Sequence, residues 1–160
     1  MLRQARPSDL PLIDALWRAP ENAQWIEPPE DGEIEAAIDA GLAFLWEAAA
    51  HPPGMAVLMT WVPRVMGLSA ITCPPGQGKA FFRALLTHVF GPPNLGGLWA
   101  HRIGFDVTAD NARAIRLYES FGFTREGHIR ECWQRPDQPD RAGDWADCYL
   151  YGLLAKEWTA

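Results

Sequence analysis

The stretch VMGLSAITCPPGQGKAFFRALLTHVF, residues 65–90, constrains the fold more than any other part of this chain. It opens with an almost unbroken apolar run of strand length. From Lys79 onward, apolar residues recur at Phe81, Phe82, Leu85, Leu86 and Val89, the spacing of an amphipathic helix. Between the two, CPPGQGKA turns the chain sharply. A strand that feeds a helix this directly lays the helix on the face of its own sheet, and the chain returns in a further strand. The apolar run LWAHRIGFDV, residues 98–107, supplies that return.

The flanking segments extend the pattern. LRQAR reads as a short strand, and Ser8 as the cap of a helix over residues 9–18 that places Leu12, Ile13, Leu16 and Trp17 on one face. After a Pro-rich connection, a second short helix covers 33–39 and stops at Gly41. LAFLWEAAA (42–50) and MAVLMTWV (55–62) are strands about the turn HPPG. A last helix covers 111–120. FTREGHIRECW (123–133) and DWADCYLYGLL (144–154) follow as strands joined by QRPDQPDRAG. The order is βα(α)βββαβαββ, an α/β (α+β) mixed sheet with helices on its faces. No repeat or linker divides the chain, so residues 1–160 are expected to form one domain.

Composition narrows the function. Net charge is −6, with 20 acidic against 14 basic residues, which argues against a nucleic-acid binder. No apolar run reaches membrane-helix length, and MLRQARPSDL lacks the apolar core of a signal peptide, so a cytoplasmic protein is expected. Cys73, Cys132 and Cys148 match no metal spacing, and three is an odd number for a disulfide framework; ordinary free thiols and no metal are expected. The acids are unevenly spread. Between Ala19 and Pro63 stand Glu21, Glu27, Glu30, Asp31, Glu33, Glu35, Asp39 and Glu47, with no Lys or Arg. This segment is either a solvated acidic face or one wall of a site for a cation.

The turn CPPGQGKA is shaped for an anion. Gly76 and Gly78 let backbone approach closely, and the free amides from Gly76 to Ala80 open a helix whose dipole favours negative charge. It is not a Walker loop, because Cys73 stands where that loop needs Gly and Ala80 where it needs Ser or Thr. Nor is it a dinucleotide fingerprint, since the third Gly is missing. A second constellation follows in DVTADNARAIRLYESFGF, with Asn111 and Tyr118 seven residues apart on one helix face. Either alone has an ordinary reading, Asn111 as a helix cap and Tyr118 as an aromatic with a solvated hydroxyl.

Taken together, the two stretches resemble the GNAT superfamily of acetyl-CoA-dependent N-acetyltransferases, most strongly over residues 65–154. The DVTADNARAIRLYESFGF segment is similar to ribosomal-protein alanine acetyltransferases, and GHIRE…GDWADCYLYGLLAKEW to spermidine acetyltransferases. The family's loop, Gln/Arg-x-x-Gly-x-Gly/Ala, matches Cys73 to Gly78 except that Cys73 replaces Gln or Arg. The resemblance implies a mostly antiparallel sheet of about seven strands, a splayed central pair and about four helices. It implies acetyl-CoA in the splay: Ile71 and Cys73 facing the pantetheine, Asn111 bonding it with Ala114 one turn on, and Gly76, Gln77, Gly78, Lys79 and Ala80 under the pyrophosphate. Arg83, and with less support Arg113, could meet an outer phosphate.

The chemistry implied is direct attack of an amine on the thioester. The amine must first lose a proton, for which Asp106 is the candidate base. A backbone amide within residues 70–72 would hold the oxyanion, and Tyr118 would protonate the departing thiolate. Glu47 and Asp147 are further carboxylates for the acceptor side, and Trp17 and Trp25 further aromatics. The acceptor is a small cationic amine or a peptide N-terminus. The resemblance leaves a homodimer open. A degenerate domain that senses acyl-CoA without turnover is the alternative.

Overall fold

The computed structural model describes residues 1–49, 51–137 and 142–159. Among the described residues, seven strands form one sheet: β1 (Leu2–Gln4), β2 (Ala43–Trp46), β3 (Gly54–Val62), β4 (Val65–Thr72), β5 (Arg102–Thr108), β6 (Thr124–Gln134) and β7 (Trp145–Leu154). Four α-helices are inserted: α1 (Leu10–Trp17) and α2 (Glu33–Asp39) before β2, α3 (Gly78–Phe90) before β5, and α4 (Ala112–Glu119) after it. The spatial order is β1-β2-β3-β4-β5-β7-β6. Only β4 and β5 run parallel; every other neighbouring pair is antiparallel. The mixed sheet read from the sequence, and the mostly antiparallel seven-strand form that the family resemblance implied, are the fold observed.

A core lies on each face. On one, α3 and α4 bury Phe81, Phe82, Leu85, Leu86 and Tyr118 against Phe44, Ile103, Phe105 and Tyr151 of the sheet. On the other, α1 and α2 bury Ile13, Trp17, Ile34 and Ile38 against Leu45, Met55, Val57 and Ala70. Strand alternation produces both cores at once, since neighbouring residues such as Phe44 and Leu45 point to opposite faces.

Several local expectations needed correction. Ser8 does not cap the first helix. A short 3-10 turn over Pro7–Asp9 precedes α1, and Asp9 accepts from the Arg6 amide at 2.8 Å and from Arg3 at 2.8 and 3.0 Å. Ser8 lies inside that turn, and the cap position of α1 falls on Asp9, so the hydroxyl is not where a cap would accept from the helix amides. β2 is half the length expected, ending at Trp46; of the expected run 42–50, residue 50 lies outside the described residues. Residues 98–101 precede β5 as irregular chain. In the QRPDQPDRAG connection, residues 138–141 lie outside the described residues. The expected thiols Cys132 and Cys148 are joined as a disulfide between β6 and β7, leaving Cys73 free among the described residues. Sequence spacing could not show this pairing, because it depends on hairpin register.

Candidate active site

β4 and β5 pair only from Val65↔Arg102 to Gly67↔Gly104 and then part. The divergence has a local cause. In the β3–β4 ladder Val57 faces Ala70 while Leu58 faces Leu68, so Ser69 is an extra residue on β4. A bulge bends its strand and sharpens its twist, and here it falls immediately past the last β4–β5 pair. From Leu68 to Thr72 the β5-facing edge of β4 therefore has backbone groups without a ladder partner on that side.

A cavity of about 400 Å³ fills the opening. Residues 68–73 form one wall, Phe105, Asp106 and Val107 the other, and Asn111, Arg113, Ala114 and Tyr118 of the α4 region close one side. Trp25 and Ile26 reach it from the connection after α1. Ile71, Cys73, Asp106, Asn111, Ala114, Tyr118 and Trp25, all read from the sequence, are thus gathered around one space. Arg113, given less support there than Arg83, also stands on this wall, whereas Arg83 lies over the Phe121 ring at 5.5 Å.

The cavity wall ends at Cys73, and Gly76, Gln77, Gly78, Lys79 and Ala80 follow it in the chain without lining the cavity. Gly76 has φ +81°, a left-handed conformation that only glycine adopts without strain, and a Cβ built there meets nothing within 4 Å. The Gln77 amide is engaged by the Pro74 carbonyl at 3.1 Å. The donors left for an anion are those of Gly78, Lys79 and Ala80, in the first turn of α3, where no helical carbonyl precedes them. The Gln77 side chain accepts from Trp46 Nε1 at 3.4 Å, and Trp46 stacks on Phe81 at 5.5 Å, which fixes the turn on the sheet. Burial pushes the Cys73 thiol up to about 11, opposed by nearby Arg113, so it stays protonated at neutral pH.

Asn111 caps α4, its Oδ1 accepting from the Ala114 amide at 3.1 Å, and the residue lines the cavity. Tyr118 is buried, with its ring 4.4 Å from Phe105 and 5.3 Å from Phe82. That burial raises its phenol above the ordinary value near 10, so it remains a donor throughout the neutral range.

The other end opens into a second cavity of about 620 Å³. Glu27, Glu30, Asp31 and Glu33 line it with Trp17 and Trp61, and Leu68, Ser69, Phe105 and Asp106 are shared with the first. Asp106 is exposed between buried Phe105 and Val107, on the face opposite the α4 core. Trp17 is fixed by its Nε1 donating to the Glu27 carbonyl at 2.7 Å. Trp61, half exposed on β3, was not singled out in the sequence.

Glu47 and Asp147 line neither of these two cavities. Glu47 pairs with Arg3 at 2.7 Å at the end of β2. Asp147 accepts from the Glu131 amide at 2.9 Å and lies 2.7 Å from His128 Nε2, and these bonds lower its pKa.

The chain is similar to several proteins named as N-acetyltransferases. The spermidine N(1)-acetyltransferase of Vibrio cholerae serotype O1 (strain ATCC 39315 / El Tor Inaba N16961) is 35% identical over 77 residues, 46% of this chain. The match spans 42% of that relative's length, less than half. The crystal structure of spermidine N-acetyltransferase from Vibrio cholerae in complex with CoA and spermine superposes with a TM-score of 0.74 at 23% identity, over 98% of this chain and 96% of that one. The ribosomal-protein-S18-alanine N-acetyltransferase from Escherichia coli gives 0.68 at 21%, over 100% and 95%. The ribosomal-protein-alanine N-acetyltransferase from Brucella melitensis gives 0.69 at 19%, over 96% and 99%. No protein-family model matches the chain.

Proposed function

We propose that this chain, which has the fold of the GNAT N-acetyltransferases, transfers an acetyl group from acetyl-CoA to the amine of a cationic acceptor held in the same complex. One observation carries the reading. A single opening between β4 and β5 runs from Cys73, which the glycine turn and the free first-turn amides of α3 follow, to an acidic, tryptophan-lined cavity, and Asp106 borders both cavities. An anionic donor and a cationic acceptor therefore approach one point from opposite sides.

The residues fit coenzyme A by three features: the unpartnered β4 edge, the first-turn amides of α3 and the open space over Gly76. Acetyl-CoA supplies the thioester to be attacked. The amides of Gly78, Lys79 and Ala80 bind its pyrophosphate, with Arg113 adding charge. The β4 edge pairs with the pantetheine amides, and a β4 amide within residues 70–72 donates to the thioester oxygen as charge builds there. Asp106 takes the ammonium proton, directly or through water. The carboxylates of Glu27, Glu30, Asp31 and Glu33 hold the rest of the cation, and the faces of Trp17 and Trp61 shield it from water. Tyr118 donates its hydroxyl hydrogen to the sulfur as the carbon–sulfur bond breaks.

Among the relatives, spermidine and spermine are acceptors or ligands by name, and a flexible polyamine suits an open cavity bearing four carboxylates. The test is calorimetric titration of coenzyme A, followed by mass spectrometry of amine mixtures incubated with acetyl-CoA. Binding together with an acetylated polyamine is the expected result. Binding without any acetylated product would indicate a sensor, and absence of binding would overturn the reading.

A further inference from the structure

Three strands bring two sulfurs and a carboxylate together beside the acceptor cavity. Cys148 on β7 lies opposite Thr108 of β5, and Asp106 sits on the same face of β5 two residues earlier. On its other side β7 meets β6, which bulges strongly. From the pair Ile129↔Cys148 to the pair Trp133↔Ala146, β6 advances four residues while β7 advances two. The bulge is pinned by Glu131, a non-glycine residue at φ +48° whose amide donates to Asp147 Oδ1 at 2.9 Å. This turn points Cys132 at Cys148, with Cα atoms 5.9 Å apart. A carboxylate oxygen of Asp106 and the two sulfurs all lie within 4.8 Å of one another.

The disulfide engages the two sulfurs with each other, and the Asp106 carboxylate stands within reach of both. Two thiolates and a carboxylate from three separate strands form a donor set for a thiophilic divalent cation, with one coordination position left for water. The surroundings favour positive charge. Glu27 and Glu30 line a shallow cavity with Cys132 and the acceptor cavity with Asp106.

We propose that, once the Cys132–Cys148 bond is reduced, Cys132, Cys148 and Asp106 bind one thiophilic divalent cation such as Zn²⁺, and that the disulfide is the form that keeps the cation out. The chemistry balances with a phosphine as reductant. It takes oxygen from water to become the phosphine oxide, two electrons enter the sulfur–sulfur bond, and two thiols result. Cation binding then releases two thiol protons. Cys132, only half-buried and facing a cavity, is the entry point; Cys148 is buried behind it. On the acetyl-transfer reading, the cation occupies the Asp106 oxygens needed to deprotonate the amine, so it inhibits transfer. Cation binding itself does not depend on that reading.

The test uses the full chain, phosphine-reduced under argon and titrated with Co²⁺ as a spectroscopic probe. Reduced protein is expected to show thiolate-to-cobalt charge-transfer absorption that saturates at one equivalent and is displaced by Zn²⁺. Unreduced protein is expected to show none. Cys132→Ala and the near-isosteric Cys132→Ser remove the band, and Cys73→Ala keeps it. Asp106→Ala weakens Co²⁺ affinity by on the order of tenfold or more. No band in reduced wild type, an undiminished band in both Cys132 variants, or unchanged affinity in Asp106→Ala would each overturn the proposal. The readout uses no acetyl donor, so its failure is separate from any failure of acetyl transfer.

Discussion

Replacing Tyr118 with phenylalanine isolates one hydroxyl. The ring stays packed against Phe105, Phe82 and Phe123, since those contacts are made by carbon. Fold and coenzyme A affinity are therefore expected to survive nearly unchanged. The size of the catalytic loss follows from the environment. Burial raises the phenol well above its usual value, whereas an ordinary thiol has a pKa near ~8.5. Complete transfer to a solvated thiolate would then be uphill, by more than about 2 kcal/mol for a gap above ~1.5 units. The hydroxyl thus acts chiefly as a donor to the sulfur as charge builds on it. A buried hydrogen bond to a charged group contributes about 1.5–3 kcal/mol, which gives a fall in kcat of roughly 10- to 150-fold. Steady-state kinetics with calorimetric coenzyme A affinity would measure it. An unchanged kcat, or a fall matched by an equal loss of coenzyme A binding, would refute the reasoning. The raised pKa also has a sign: the hydroxyl keeps its proton as pH rises through 8 and 9, so wild-type kcat should show no decline there from this group.

Asp106→Asn is expected to lower turnover at neutral pH and flatten the acid limb of the pH–rate profile. A superimposable profile would assign the proton transfer to another group or to water. Gly78→Val should weaken coenzyme A binding by at least about tenfold by obstructing the backbone approach. A Cβ there meets only Leu117 Cδ2 at 3.6 Å, an ordinary contact, so the fold should hold, and tight binding by this variant would count against the glycine turn as the pyrophosphate site. Asp9 is held at about 2 against a usual 3.8, first by the Arg3 side chain and then by the Arg6 amide. Its folded pKa is depressed, so its contribution to stability is complete above pH 4 and is lost as pH falls towards 2. Arg3→Ala should reduce that acid-side loss in urea midpoints measured between pH 5 and 2, and an unchanged slope would show the pair contributes little.

The most legible parts were those fixed by local periodicity. The helix expected over 33–39 and the strand over 65–72 coincide with α2 and β4, because each is bounded by turn residues. Of the turn Cys73 to Ala80 only Cys73 lines the cavity, across from Asn111 and Tyr118, whose seven-residue spacing on one helix face was readable in the sequence. What stayed hidden depends on register. The Ser69 bulge that separates β4 from β5 leaves no compositional mark. Trp61 reaches the acidic cavity only because β3 and β4 form a hairpin of that offset. Cys132 and Cys148 meet because β6 carries extra residues opposite Asp147. The acidic segment between Ala19 and Pro63 was visible as charge, but only the fold separates Glu27, Glu30, Asp31 and Glu33 in the cavity from Glu47, which is paired with Arg3.

The most direct test of acetyl transfer at the β4–β5 opening is the initial rate of free-thiol release from acetyl-CoA, varied against both donor and amine. The amines would be a polyamine, an aminoglycoside, a peptide with a free N-terminus and a neutral-chain amine. Direct attack in one complex predicts release that saturates in both substrates, with intersecting double-reciprocal lines and strongest turnover for a polycationic acceptor. Parallel lines would contradict direct transfer, and no release with any amine despite coenzyme A binding would contradict the enzyme itself.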